Sequence, residues 1–216
     1  MTEELSRTSA LASRHTALGS GLEDWNGMGT AWTYNTDPNK EHDAVRESAG
    51  MFDMSPLKKV YVRGPDASAV LNHLTTRDMQ SIAPGESAYL CVLTDQGAIA
   101  DDAIVSNNGD DEWMIVHGSG GTMPLLEESA AGKDVKLQFT DDLHNISVQG
   151  PKSVDILNAN SDVVLALCSI SITHRQYFLA MIVAFQEPVI QGNVAMKFLP
   201  MQAWWEIYGT NSQLQT

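Results

Sequence analysis

Val60 and Val62 alternate with the polar positions Lys59, Tyr61 and Arg63. That period of two is the signature of a half-buried strand over residues 59–63, and Gly64-Pro65 ends it. Immediately after, Val70, Leu71 and Leu74 recur at helical spacing, so residues 66–74 are predicted as a helix with one apolar stripe. Upstream, residues 41–49 follow Asp37-Pro38-Asn39 and stop at Gly50, which predicts a short helix. Downstream, residues 87–93 and 98–106 read as strands joined by the turn Asp95-Gln96-Gly97, a hairpin. Asn107-Asn108-Gly109-Asp110 is a second turn and leads into a strand over 112–116. A loop at 118–121, a helix over 123–131 and a strand over 135–139 complete this stretch.

A pattern then returns. Val62-Arg63-Gly64-Pro65, followed by Leu71-Asn72, is matched by Val148-Gln149-Gly150-Pro151, followed by Leu157-Asn158 at the same offset from the proline. Glycine lets the chain turn tightly as it leaves a strand, and proline suits the first turn of a helix. Two unrelated strand-to-helix junctions would not need matched spacing, so the pattern predicts a duplicated βα unit. Hairpins mixed with helices in two similar halves predict an α+β domain.

Composition narrows the function classes. The chain has 216 residues, 43% of them hydrophobic, enough for one domain or one and a half with a true core. Lys plus Arg number 13 against 27 Asp plus Glu, a formal charge of -14. Such a chain has no global attraction for phosphate backbones, so nucleic acid is not an expected partner, although a local basic site for an anionic cofactor is compatible with it. Cys91 and Cys168 lack metal-ligand spacing and read as buried thiols in a reducing, cytoplasmic setting; no metal site is expected. Residues 1–11 are polar and lack the apolar core of a secretory signal. Residues 163–185 approach the length of a membrane span, but His174-Arg175-Gln176 sits in their middle, where charge is costly in a bilayer, so no membrane role is expected.

Several ordered markers resemble the glycine-cleavage T-protein superfamily. They are Ser48-Ala49-Gly50-Met51-Phe52-Asp53-Met54-Ser55, Val62-Arg63-Gly64-Pro65-Asp66-Ala67, Leu74-Thr75-Thr76-Arg77-Asp78, Gly97-Ala98-Ile99-Ala100-Asp101-Asp102 and Val148-Gln149-Gly150-Pro151. The likeness runs from near Leu18 to about Asn160, and Trp25 with residues 29–34 falls where that family has its N-terminal substrate loop. The resemblance implies an incomplete folate-binding aminomethyltransferase domain, α+β, with duplicated βα units in ferredoxin-like halves. It implies tetrahydrofolate as cofactor and one-carbon transfer from a small-molecule methyl or aminomethyl donor, with a lipoyl carrier protein as a further candidate partner. The alternative is a non-catalytic folate-binding or interaction module.

The resemblance also nominates residues. The acidic pair is expected to carry catalysis, Asp102 first and Asp101 second, because a carboxylate can relay a proton to an amine and stabilise positive charge developing beside it. From two aspartates alone, a solvated strand end would be the better reading. Tyr89 is expected to line the folate pocket with its aromatic face, although a half-buried strand tyrosine explains it equally well. Met54, His117 and Gly118 complete the expected cofactor-binding set. Two stretches depart from the family: His117-Gly118 stands where Val-Asn is usual, and Met54-Ser55-Pro56-Leu57 stands where the T-proteins proper have a Ser-His-Met-Gly type sequence. These departures imply a divergent branch and leave demethylating relatives open.

Beyond about residue 163 the resemblance stops, so residues 1–163 are read as the front of the domain and 164–216 as a non-homologous tail. The family's next motifs, Tyr-Phe-His-His and a run ending Thr-Gly-Tyr-Ser-Gly-Glu-Arg-Gly-Tyr-Glu, are absent from this frame. Residues 188–197 can be encoded as CCG GTT ATT CAG GGG AAC GTG GCT ATG AAG; one added A regroups these bases into codons for the missing run. Residues 168–173 permit Gln-Tyr-Phe-His-His by the same regrouping. The tail is therefore expected to be out of frame and to pack poorly, since residues selected in another frame bury no coherent face, and activity is expected to be weak or absent. A diverged but genuine segment, exposing Trp204 and Trp205 for self-association, is the competing reading.

Overall fold

The computed structural model describes residues 5–118, 120–160 and 181–186. The chain divides into two compact units, Met1–Pro56 with Asp142–Thr216 and Leu57–Asp141.

The first unit opens with α1 (Ala12–Ala17) and a small hairpin of β1 (Glu23–Trp25) and β2 (Met28–Thr30). Asn26 and Gly27 both take positive φ, the two-residue hairpin turn that Asn-Gly favours. Next, α2 (Pro38–Glu47) starts three residues before the predicted span of 41–49 and ends two residues before that span does. Asp37 caps it by accepting from the Asn39 N–H at 3.0 Å, and Pro38 fills the first helical position, where its missing N–H costs nothing. The strand β3 (Gly50–Asp53) follows and is buried along its whole length, so it shows no alternation by which the sequence could announce it.

The second unit follows the predicted order closely: β4 (Lys58–Arg63), α3 (Ala67–Leu74), β5 (Ser87–Leu93), β6 (Ile99–Gly109), β7 (Glu112–His117), α4 (Thr122–Ala130) and β8 (Lys136–Thr140). A short 3-10 turn at Met79–Ser81 separates α3 from β5. The five strands form one antiparallel sheet in the order β5-β6-β7-β4-β8. β7 lies between β4 and β6, so β4, α3 and β6 make a split βαβ of the ferredoxin-like kind, with β5 added at the edge. The core forms on one sheet face: Val60 and Val62 of β4, Ala103 and Val105 of β6, and Trp113 and Ile115 of β7 join Val70, Leu71 and Leu74 of α3 and Leu126 of α4.

The chain then returns to the first unit with β9 (Leu143–Gln149) and α5 (Ser153–Asn160), and β10 (Met181–Gln186) pairs with β9. That sheet runs β10-β9-β3, all antiparallel. Of the region read as an out-of-frame tail, only β10 is described; the rest, including Cys168, Trp204 and Trp205, lies outside the described residues, as does most of the apolar stretch 163–185. Among the described residues, no helix is long and apolar enough to cross a membrane.

The two Gly-Pro junctions share local geometry. Gly64 has φ +132 and Gly150 φ +117, values that L side chains rarely adopt. A Cβ at Gly64 would lie 2.4 Å from the Asp134 carbonyl oxygen, and one at Gly150 would lie 2.5 Å from that of Ser48. In each case the glycine carbonyl accepts from the first helical turn, Gly64 from Ala67 N at 2.9 Å and Gly150 from Ser153 N at 3.1 Å. The next turn matches too, with Val70 N on Asp66 O and Ile156 N on Lys152 O. Leu71 and Leu157, the paired leucines of the repeat, are both buried.

Candidate functional site

The pleat of β6 decides what the acidic pair can do. Successive side chains of a strand point to opposite faces. Ala103 and Val105 enter the core, so Asp101 shares their face and Asp102 takes the other. The two carboxylates that stand together in the sequence therefore meet different surroundings.

On the Asp102 face, β5 pairs with β6 so that Tyr89 stands opposite Ile104 and Cys91 opposite Asp102. Tyr89 reaches diagonally and donates its hydroxyl to Asp102 Oδ2 at 2.7 Å. Asp102 is exposed, and the tyrosine is 51% exposed. Partial burial, then the hydrogen bond and charge of Asp102, push the Tyr89 phenol above its ordinary range, so it remains a protonated donor at neutral pH. Cys91 is half-buried here, not fully buried as its type suggested, because its strand lies at the sheet edge.

On the other face, Asp101 is enclosed, its side chain 6% exposed. Its Oδ2 accepts from Thr122 Oγ1 at 2.7 Å and faces His117 Nδ1 at 3.3 Å, while its Oδ1 accepts from the Asp102 N–H at 3.0 Å. A carboxylate only accepts, so Nδ1 of His117 carries the proton and Nε2 is left as a lone pair. His117 is buried and its Nε2 has no hydrogen-bond partner among the described residues. Burial holds this imidazole below its ordinary pKa; Asp101 opposes that and Lys58, its cross-strand partner, reinforces it. Gly118 and Gly120 pass close over Asp101: a Cβ at 118 would lie 3.1 Å from Asp101 Oδ1, and one at 120 only 2.4 Å from the Ala100 carbonyl.

The second unit thus joins Tyr89 to Asp102, and Asp101 to His117 and Gly118. Met54 is not in that unit. It is a buried residue of the first unit, where its N–H donates to the Asn145 carbonyl at 2.8 Å.

Thr122, at the start of α4, was not foreseen; a threonine opening a helix carries no mark of a remote acidic partner. A second polar cluster also escaped notice. In the first unit, Asp53 Oδ2 accepts from Ser9 Oγ at 2.5 Å and meets His15 Nε2 at 2.9 Å, while Oδ1 accepts from Ser55 N at 3.0 Å. His15 Nδ1 meets the Tyr34 hydroxyl at 2.6 Å. Burial alone would raise the Asp53 pKa, but the bonds from His15, Ser55 and Ser9 outweigh it and hold the carboxyl below its ordinary range. The Tyr34 phenol is pushed up by burial and by the charges of Asp53 and Glu41. The available signal was Asp53 itself, a lone acid within Met51-Phe52-Asp53-Met54. Among the described residues, no three His, Cys, Asp or Glu side chains converge as a metal-ligand set.

Comparison with known proteins adds the following. The family model of the GCVT N-terminal domain matches residues 11–182. The chain is 51% identical over 151 residues to the heme-dependent oxidative N-demethylase gamma subunit of Ectopseudomonas mendocina, covering 70% of this chain and 40% of that protein. It is 35% identical over 163 residues to a probable aminomethyltransferase of Natronomonas pharaonis, covering 71% and 44%. Among solved structures, the glycine cleavage system aminomethyltransferase T from Bartonella henselae matches with a TM-score of 0.65 and 27% identity, over 71% of this chain and 43% of that one. The chain therefore spans less than half the length of these relatives.

Proposed function

Because this chain belongs to the GCVT N-terminal domain family, we propose that it forms the front of a tetrahydrofolate-dependent one-carbon transferase whose donor is an N-methyl or aminomethyl amine. The observation that carries this reading is the Tyr89–Asp102 pair, an exposed carboxylate held by a half-exposed aromatic residue at 2.7 Å. The 51% identity to an N-demethylase subunit favours an N-methyl donor over an aminomethyl group on a lipoyl carrier.

The residues suit a folate. Tyr89 offers an exposed aromatic face for a planar ring, and Asp102 an exposed oxygen beside it. Tetrahydrofolate, when bound, supplies amine nitrogens that accept the one-carbon unit. Asp102 takes a proton from an amine or returns it, and its negative charge favours a transition state that gains positive charge. Tyr89 holds one oxygen of Asp102 and so fixes which one faces outward. Residues 164–216 are read here as an out-of-frame tail, which removes a wall of the site and lowers the electrostatic advantage of enclosure. Resequencing the gene around the codons for residues 161–167 tests that part: a one-base gain or loss supports it, and an intact frame rejects it.

The functional test incubates the chain, and the product of its gene with the frame restored, with tetrahydrofolate and a panel of N-methyl and aminomethyl amines. Methyl-tetrahydrofolate should form from an N-methyl donor and methylene-tetrahydrofolate from an aminomethyl donor, each with release of the amine; methylene-tetrahydrofolate from an N-methyl donor requires a two-electron oxidant to be added. In Asp102→Asn, turnover should fall by about 10²-fold or more, the usual range for loss of a general acid–base group, with folate binding retained. Folate binding without turnover of any donor by either form would overturn the transferase reading.

A further inference from the structure

The one-carbon-transfer reading leaves Asp101 without a role, and the inference drawn here rests on that reading. We propose that Asp101, held by Thr122 and His117, is a positioning residue for Asp102 and not a second acid–base group.

The hydrogen-bond accounting carries this. An ionised carboxylate has roughly four acceptor positions, and when it is buried each of its two oxygens needs at least one donor. Asp101 Oδ2 takes the Thr122 hydroxyl at 2.7 Å and the His117 Nδ1–H at 3.3 Å; Oδ1 takes the Asp102 N–H at 3.0 Å. With its side chain 6% exposed, Asp101 turns no open oxygen toward a substrate. Asp102 has the opposite character: it is exposed, Tyr89 holds its Oδ2, and Oδ1 has no hydrogen bond among the described residues.

The link between them is the Asp102 backbone. Its N–H bonds to the preceding side chain, next to the point where the β5–β6 register shifts between Val92 and Leu93. A β-bulge loosens a ladder and re-aims the side chains beside it. Asp101 supplies a bond that fixes the peptide at this irregular point, and so the direction in which the Asp102 carboxylate leaves the strand. Thr122 comes from α4 and His117 from the end of β7, so two further elements set the orientation of Asp101. The glycines at 118 and 120 let the connecting loop pass within contact distance of it.

The test has two arms. In the first, kcat, KM for tetrahydrofolate and the pH–rate profile are measured on whichever form of the protein turns over. Asp101→Asn, which can still accept from the Asp102 N–H, should lower kcat by about tenfold, leave KM unchanged and retain the acid limb of the profile. Thr122→Val should act in the same direction but more weakly. Asp102→Asn should lose the acid limb. Loss of that limb in Asp101→Asn with its retention in Asp102→Asn would overturn the proposal, because Asp101 would then be the titrating catalyst. In the second arm, amide hydrogen exchange is followed in the full chain carrying Asp101→Ala. The Asp102 amide should exchange about tenfold faster or more while the amides of Val105 and Ile115 keep their protection. Unchanged protection at Asp102 would overturn the proposal. Absence of folate product from every form would overturn the one-carbon reading and, with it, the catalytic half of the proposal; the exchange arm decides separately whether Asp101 holds Asp102.

Discussion

Replacing Asp53 by alanine tests whether the buried cluster of the first unit holds that unit together. The native carboxylate receives the Ser9 hydroxyl at 2.5 Å, the His15 ring at 2.9 Å and the Ser55 N–H at 3.0 Å. Ser9, His15 and Ser55 are each at most 3% exposed, so water does not replace the lost acceptor. Each orphaned buried donor costs about 1–3 kcal/mol, and the Ser9 hydroxyl, the His15 ring and the Ser55 N–H all lose their acceptor together. Since these contributions share one carboxylate they do not add fully, and a loss of about 3–5 kcal/mol is expected for Asp53→Ala. Asp53→Asn should cost less, about 1–2 kcal/mol, because its carbonyl can keep Ser55 while the Ser9 hydroxyl rotates and His15 changes tautomer.

The pH dependence of that loss has a definite sign. The folded carboxyl titrates below its ordinary 3.8, so its contribution is present above that value and disappears as pH falls through the lower folded pKa. The gap between native and Asp53→Ala should therefore shrink as pH falls below about 3.8. Urea titrations followed by tryptophan fluorescence read it, since Trp25 and Trp32 lie in the same unit with ring centroids 6.4 Å apart. A gap under about 1 kcal/mol at pH 7, or one that does not shrink as pH falls below about 3.8, would refute the reasoning.

Other expectations are simpler. Gly64→Ala and Gly150→Ala should each cost about 2 kcal/mol or more, because both combine a strained positive φ with a backbone carbonyl in the place of the new Cβ; a loss below about 0.5 kcal/mol in urea titration of either would show that the paired junctions are not constrained alike. Asp37→Ala should cost about 1 kcal/mol through loss of the α2 cap, read as a lowered melting temperature, and no change would mean that Pro38 alone sets the helix start.

Elements whose burial alternates were legible in the chain. The strands of the second unit and both of its helices lie within a few residues of their predicted places, because each presents one apolar face to a single core. The repeat was legible as well, since a glycine at positive φ followed by proline is a backbone requirement written directly in residue types. The strand β3 was not, being buried on every side, and neither was the small hairpin at Asn26-Gly27, although its turn residues were a readable signal.

The candidate site divides the same way. Sequence by itself determined which residues belong to the acidic motif, that Tyr89 precedes them on a paired strand, and which family the motif resembles, because these follow from local order and from side-chain type. Tertiary structure alone decided that Asp101 and Asp102 have opposite fates, since that depends on which face of β6 meets the core and on Thr122 and His117 arriving from other elements. It likewise decided that Ser9, His15, Tyr34 and Asp53 share one buried cluster, and that Met54 is a core residue of the first unit. The physical reason is common to all of these. A residue's type states what it can bond to, whereas its burial and its partners arise from chain segments far apart in sequence, and those are brought together only when the sheets close over their cores.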